Sequence, residues 1–403
     1  MQQILRHTRR EDGFVSLFST IFFMLLITVI TLGFIQITAT EQQQALNNDL
    51  SASALASAQS GIEDGKRAVL KYFSLTNPTD LATYRTQMTA PNSSNCTSIT
   101  GSQVGSDLGV AASGNVVGNN QINQSYTCLT VNLNSPDFLS QSSAGKSLIV
   151  PLRAAGGNFQ QIRVSWHLLS TTVGQDGDGL PGATPGTPPY YAAGPLLYPA
   201  NGSATLPIGW GELGYPAYMR VQLFGHPSSG AYDRNALNQR SRSVLLVPGQ
   251  SGIAPTTAIN LGTADPNPAT LGTAELNPQT IRCEPNPTGN IGSYACSALL
   301  QLPTGGAFAS GSNRYYLRLT PLYGATHFRV ALVNGGSEVN FDQVQPIVDV
   351  TGRAADVYRR LQARVQVNQV ANYPEYAAEI ANDICKTMQI SSNTSDYTAN
   401  TCD

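Results

Sequence analysis

Few side chains in this sequence have the type and spacing to do chemistry. The strongest candidates are two aspartates in a glycine-rich run. Asp176 and Asp178 lie in residues 174–179, with the Asp-x-Asp-Gly pattern that occurs inside calcium loops. Carboxylate oxygens are the ligands that calcium prefers. However, Gly174 stands at the opening ligand position, and Pro185 stands where a bidentate glutamate belongs. We therefore interpret the run as a turn, with a calcium site as the alternative.

Other catalytic or cofactor patterns are incomplete. Residues 144–147 read Ala-Gly-Lys-Ser and resemble the end of a phosphate loop, but Ser140 replaces its first glycine and a strand is predicted to follow. There is no Gly-x-Ser-x-Gly or His-Glu-x-x-His run. The histidines lack metal-ligand spacing to a cysteine or to one another: His7, His167, His226 and His327. We predict that the protein is not an enzyme and needs no cofactor or metal.

The composition is typical of an exported, β-rich protein. The chain has 403 residues, of which 12% are charged, about half the usual fraction. This length allows one large domain or two small ones. The net charge of −2 gives no basic excess, so nucleic acid is not expected as the main partner.

Six cysteines in an exported chain predict disulfides. Fifteen pairings of six cysteines exist, and the sequence does not choose among them. The nearest-neighbour set would close three local loops, each stabilising the fold by about 3 kcal/mol. That set is Cys96–Cys128, Cys283–Cys296 and Cys385–Cys402.

The element that organises the chain is an apolar run near its N-terminus. From Gly13 to Thr40 there is no charged residue and no proline. A helix of about 20 residues crosses the ~30 Å hydrocarbon core of a bilayer. Arginines precede the run and Glu41 follows it, which predicts a cytoplasmic N-terminus and an exported remainder. The arginines are Arg6, Arg9 and Arg10.

The same helix is predicted to continue to about Phe73, where Asn77-Pro78 would end it. Small and medium apolar residues recur every four positions beyond the apolar run, which is the spacing of one helical face. We expect this stripe to pack the helix against a folded head. Its members are Leu46, Leu50, Ala54, Ala58 and Ile62.

A basic head, a Gly13-Phe14 junction, an apolar helix and an amphipathic continuation resemble a type IV prepilin. Residues 58–65 and the run from Asp349 to Val365 resemble parts of PilX-type minor pilins. The resemblance implies cleavage between Gly13 and Phe14 by a prepilin peptidase, and entry of Phe14 and Phe18 into a filament core. Type IV pilins usually carry glutamate at the position of Phe18. Its absence resembles the tip pseudopilin of type II secretion and some minor pilins, and argues against a major pilin.

The predicted class is α+β, with a long N-terminal transmembrane or spine helix packed on a large, antiparallel, loop-rich head. The predicted divisions are a leader (1–13), a transmembrane part (14–38), a helical continuation (39–75), a β-rich head (76–300) and a C-terminal β subdomain (301–403). Residues 81–118 are interpreted as mostly irregular. Residues 314–320 and 326–333 are predicted to form a hairpin, and residues 375–387 a short helix.

These observations together predict a minor pilin or pseudopilin of a type IV pilus or a type II secretion-like filament, acting in assembly, tip capping or adhesion. Its expected partners are other pilin subunits, a prepilin peptidase, the lipid bilayer and a surface ligand of the head. The alternative is an uncleaved, membrane-anchored surface adhesin or a carbohydrate- or protein-binding protein outside any pilus.

Overall fold

The computed structural model describes residues 12–89, 103–109, 123–156, 158–169, 216–226, 240–249, 252–261, 275–283, 294–303 and 314–366. Their helices are α1 Asp12–Ser74, α2 Pro78–Thr89 and α3 Gln103–Asp107. Their strands are β1 Ser125–Ser135, β2 Phe138–Ser142, β3 Leu148–Leu152, β4 Gln161–Leu168, β5 Tyr218–His226, β6 Ser241–Gly249, β7 Ala258–Asn260, β8 Glu275–Arg282, β9 Tyr294–Gln301, β10 Arg314–Leu322, β11 Thr326–Asn334, β12 Ser337–Val339, β13 Phe341–Ala354 and β14 Val357–Arg364. The architecture is α+β, as predicted, with a long apolar helix and mainly antiparallel sheets.

The chain divides into two compact units. The first contains the described residues of 1–138, 153–156 and 338–367, and the second contains those of 139–152 and 157–337. The strands β13 and β14 therefore belong to the same unit as the N-terminal helix, whereas β10 and β11 belong to the second unit. Residue 300, where the sequence suggested a boundary, lies within the span of the second unit.

In the first unit, α1 packs on one face of an antiparallel sheet with the order β1-β13-β14. Val350 of β13 lies opposite Leu129 of β1 and Leu361 of β14, so one row of apolar side chains crosses the sheet beneath the helix. The strands β13 and β14 form an antiparallel hairpin. Buried residues of this core include Ile62, Val69, Tyr72, Tyr126, Val131, Leu133 and Val348.

The second helix corrects the prediction of irregular structure after residue 80. Pro78 occupies the first helical position, where its missing N–H is not needed. The Asn77 side chain caps the helix, because its Oδ1 accepts a hydrogen bond from the Thr79 amide at 3.0 Å. Tyr84 of α2 is buried and donates to Asp107 of α3 at 2.6 Å. The Asn-Pro pair that ends α1 therefore also begins α2.

The second unit contains two sheets. One has the order β3-β10-β5-β6-β8, with only the β6–β8 pair parallel among its described strands. The other has β4 between β11 and β9. Trp166 of β4 is fully buried, and its Nε1 donates to the carbonyl of Ala217, just before β5, at 2.8 Å. This hydrogen bond joins the two sheets.

The predicted hairpin of residues 314–320 and 326–333 is wrong. Both segments are strands, but β10 pairs with β3 and β5, whereas β11 pairs with β4. The alternation of apolar and polar residues shows which side of a strand is buried, and it does not show which strand lies beside it. The chain passes from one sheet to the other between Leu322 and Thr326.

Candidate functional site: the N-terminal helix

The first part of α1, residues 16–40, is an exposed apolar segment. Fifteen large apolar side chains from Leu17 to Ile37 are each at least 42% exposed, and Phe18 is 66% exposed. Burying one such side chain is worth about 1.5–3 kcal/mol. By length and composition, α1 is able to cross a membrane, and the most apolar window has a mean hydropathy of 2.4. The segment therefore needs an apolar environment that the described residues do not provide.

Threonine hydroxyls within the apolar segment donate hydrogen bonds inside the helix. The hydroxyl groups of Thr20 and Thr28 each donate to the backbone carbonyl three residues earlier, at 2.8 Å. Thr31 and Thr38 donate to carbonyls four residues earlier, at 2.5 and 2.9 Å. Such bonds compensate the loss of water in an apolar medium. These threonines are therefore compatible with an apolar environment.

The later part of α1, residues 50–74, packs on the sheet of the first unit. Ala54 and Ala58 are fully buried, Ile62 is 4% exposed, and Leu50 is half-buried. Leu46 is 59% exposed, so its predicted role in packing the head is corrected. The contact of α1 with β14 at Ser51 lies after Leu46 in the helix. The four-residue spacing alone cannot show where the helix leaves the sheet.

Glycines allow the helix and the sheet to approach very closely. A Cβ atom on Gly352 of β13 would lie 2.1 Å from the backbone oxygen of Ala54 and 2.4 Å from the amide nitrogen of Ala58. A Cβ atom on Gly61 would lie 2.5 Å from Cγ1 of Val350. No side chain fits at Gly352 without moving α1 away from β13. The sequence analysis missed this residue, although a glycine inside an alternating strand is a known sign of close backbone approach.

Charged groups around the packed segment are paired. The Asp64 carboxylate is buried and accepts a hydrogen bond from the Tyr126 hydroxyl at 2.7 Å, and it also pairs with Arg67 one turn along α1. Arg85 of α2 pairs with Asp342 of β13 at 3.0 Å. A buried carboxylate is tolerated when such partners satisfy it. These contacts position the helices on the sheet and do not form a reactive cluster.

Burial raises the pKa of two tyrosine hydroxyls in this unit. Desolvation is the main cause for Tyr84, and its hydrogen bond to Asp107 adds to the effect. Desolvation is also the main cause for Tyr72. Both phenols therefore keep their protons to higher pH in the folded state than in the unfolded chain.

The predicted cleavage point lies at the beginning of α1. Gly13 and Phe14 belong to the helix by their backbone, while residues 1–11 of the predicted leader lie outside the described residues. Phe18 is an exposed member of the apolar segment. The helix begins at Asp12, so the junction is followed by helical backbone without interruption.

Most of the remaining candidate residues lie outside the described parts of the chain. Asp176 and Asp178 lie outside the described residues, as do residues 375–387. Within the parts of the chain that the structure describes, no three or more His, Cys, Asp or Glu side chains form a group that could hold a metal ion. Gly145 lies in a turn, and strand β3 follows it at Leu148 where a phosphate loop would require a helix.

One of the three suggested cysteine pairs is observed directly. Cys283 at the end of β8 forms a disulfide with Cys296 of β9, and this bond links the two sheets of the second unit. Cys128 of β1 is also disulfide-bonded, and its suggested partner Cys96 lies outside the described residues. Cys385 and Cys402 lie outside them as well.

Comparison with known proteins gives no relative from which a function could be transferred. No protein-family model matches the chain, and neither a curated protein nor a solved structure matches it. The functional argument therefore depends on the residues and geometry described above.

Proposed function

We propose that this protein is a structural subunit of a type IV pilus or a type II secretion-like filament, of the minor-pilin or pseudopilin class. One observation carries the proposal: a single 63-residue helix is exposed and apolar at its beginning and packed on a sheet at its end. A filament subunit needs both properties in one helix, because the first part must leave the lipid and enter a protein core while the second holds the head.

The proposed mechanism is mechanical. A prepilin peptidase removes residues 1–13, and the segment beginning at Phe14 is held in the bilayer with its N-terminus on the cytoplasmic side and the head outside. Assembly then transfers the same apolar surface from lipid to neighbouring pilin subunits. The head takes part in assembly, caps the filament tip or binds a surface ligand, and no reaction is catalysed.

The phenylalanine at position 18 favours a place at the tip of the filament over a place in its shaft. A carboxylate inside lipid or a filament core is costly unless a neighbouring group pairs with it. A subunit with phenylalanine at position 18 has no buried carboxylate that needs a partner, and it offers no carboxylate to a neighbouring subunit. A subunit at the end of a filament has no following neighbour to pair with.

A pair of glycine substitutions tests this proposal in cells that assemble such filaments. Gly13→Leu changes the predicted cleavage junction, and we expect the chain to stay in the membrane fraction and to be lost from sheared surface filaments. Gly33→Leu is the matched control, because Gly33 lies in the same helix and has no neighbouring atom within 4 Å of its Cβ position. Equal recovery of both variants from filaments would refute the proposal. Absence of the unaltered protein from filaments would instead favour a membrane-anchored adhesin.

A further inference from the structure

The strand β14 presents an open edge. It pairs with β13 through eight consecutive residues, from Val357 opposite Ala354 to Arg364 opposite Ile347, without a register shift. No described strand pairs with its other side. The strand contains no proline and no bulge, which are common devices for blocking an edge. Among the described residues, its outward backbone N–H and C=O groups therefore have no strand partner, and such groups can pair with an added strand.

Apolar side chains border this open edge. Ser51 of α1 marks the side of the helix next to β14, because its Oγ accepts a hydrogen bond from Nε of Arg359 at 2.8 Å. Leu55 lies one helical turn further on the same side and is 40% exposed. Val357 and Leu361 of β14 are half-buried on the side of the sheet that faces α1. A strand added to β14 would cover these three side chains.

The hairpin end of β13 and β14 carries positive charge. Arg359 contacts Ser51, and Nε of Arg353 donates to the carbonyl of Ala355 at 2.7 Å. Neither arginine pairs with a carboxylate among the described residues. Together with Asp356 in the turn, they leave a net charge of +1. Arg360, in contrast, is paired with Asp349 at 2.6 and 2.8 Å.

This charge selects the kind of strand that fits. In an antiparallel pair of two β14 strands, arginines of one copy would approach arginines of the other, and like charges on adjacent strands destabilise a sheet. An extended segment with an acidic residue near the hairpin end would instead be attracted there. Tyr358 is 53% exposed, and the Arg353 guanidinium lies 5.5 Å from its ring centre. The Tyr358 ring would add to the surface that contacts the added segment at that end.

We propose that the open edge of β14 binds an extended segment of another protein by strand addition, and that this segment is apolar on its α1-facing side and acidic near the β13–β14 hairpin end. Backbone hydrogen bonds to β14 would provide affinity. Leu55 and Leu361 would select the apolar side chains, and Arg353 and Arg359 would select the acidic end. This inference adds a partner site to the head and does not depend on processing at Gly13.

The test selects binding peptides against the full chain in detergent micelles, using phage that display random twelve-residue peptides. We expect the enriched peptides to alternate apolar and polar residues and to carry Asp or Glu near one end. A synthetic copy should slow amide hydrogen exchange in residues 357–364 and leave β1 unchanged. Enriched peptides that protect another region, or selection without any enrichment, would overturn the proposal.

Three variants distinguish strand addition from nonspecific binding. Each is first checked for an unchanged circular dichroism spectrum. Arg359→Glu should weaken the binding of the acidic peptide about tenfold. A repeated selection against this variant should enrich peptides with Lys and Arg instead. Leu55→Asp should weaken it similarly, whereas Leu70→Asp is the control, because Leu70 is a 59% exposed leucine of the same helix away from β14. Equal binding by the Leu55 and Leu70 variants would contradict the proposed site.

Discussion

At the scale of residues, buried polar groups position the helices of the first unit. The Tyr126 hydroxyl donates to the buried Asp64 carboxylate, and the Tyr84 hydroxyl donates to Asp107. Each bond satisfies groups that would be costly to bury alone. They therefore make the arrangement of α1 and α2 specific.

The first prediction concerns alkaline pH. The folded-state pKa of Tyr84 is raised above the unfolded value near 10, so its stabilising effect is complete below pH 10 and is lost as pH rises toward the folded-state pKa. From pH 10 to 11 the free energy of unfolding should fall by about 1 kcal/mol more in the unaltered chain than in Tyr84→Phe. Urea denaturation of the full chain in detergent micelles, followed by near-ultraviolet circular dichroism, measures this difference. Identical pH dependence in both proteins would contradict it.

Sequence patterns identified some of the contact residues and not others. Ala54, Ala58 and Ile62 stand out by their helical spacing and are buried, whereas Leu46 fits the same spacing and is exposed. Spacing identifies a helical face, but the length of the surface that covers it depends on β13 and β14, which are almost 300 residues away in the sequence. A glycine inside the alternating pattern of β13 indicates a close backbone approach at Gly352. The sequence could not show that the approaching backbone is that of Ala54.

At the scale of elements, the packing of α1 on β13 depends on the lack of side chains where they cross. We predict that Gly352→Ala lowers the free energy of unfolding of the first unit by about 2 kcal/mol or more, because its Cβ would overlap backbone atoms of Ala54 and Ala58. Gly33→Ala is the control, since no atom lies within 4 Å of that position. The same urea denaturation measures both variants. An equally small effect of the two substitutions would show that α1 does not approach β13 this closely.

The elements themselves were easier to predict than their partners. The strands β10 and β11 follow from their alternating patterns, and α1 follows from its length and composition. The pairing of β10 and β11 was wrong, because neighbouring segments with matching patterns do not have to pair. The helix α2 was missed because Asn77-Pro78 was taken only as the end of α1, although asparagine followed by proline is also a helix-start signal.

At the scale of the whole molecule, one long helix gives the chain two distinct environments. Its apolar segment has no cover within the described residues, and its packed segment shares a core with the sheet of β1, β13 and β14. The second unit contains two sheets that are linked by Trp166 and by the Cys283–Cys296 disulfide. This division suits a subunit whose helix is held in lipid or in a filament while its β-rich parts remain in water.

The N-terminus of the protein recovered from cell envelopes tests the central claim most directly, by mass spectrometry of its first peptide. The proposed filament subunit should begin at Phe14, because a prepilin peptidase would cleave after Gly13. Recovery of the unprocessed chain beginning at Met1 as the main species would contradict the claim. It would leave a tethered surface protein whose function lies in its β-rich units.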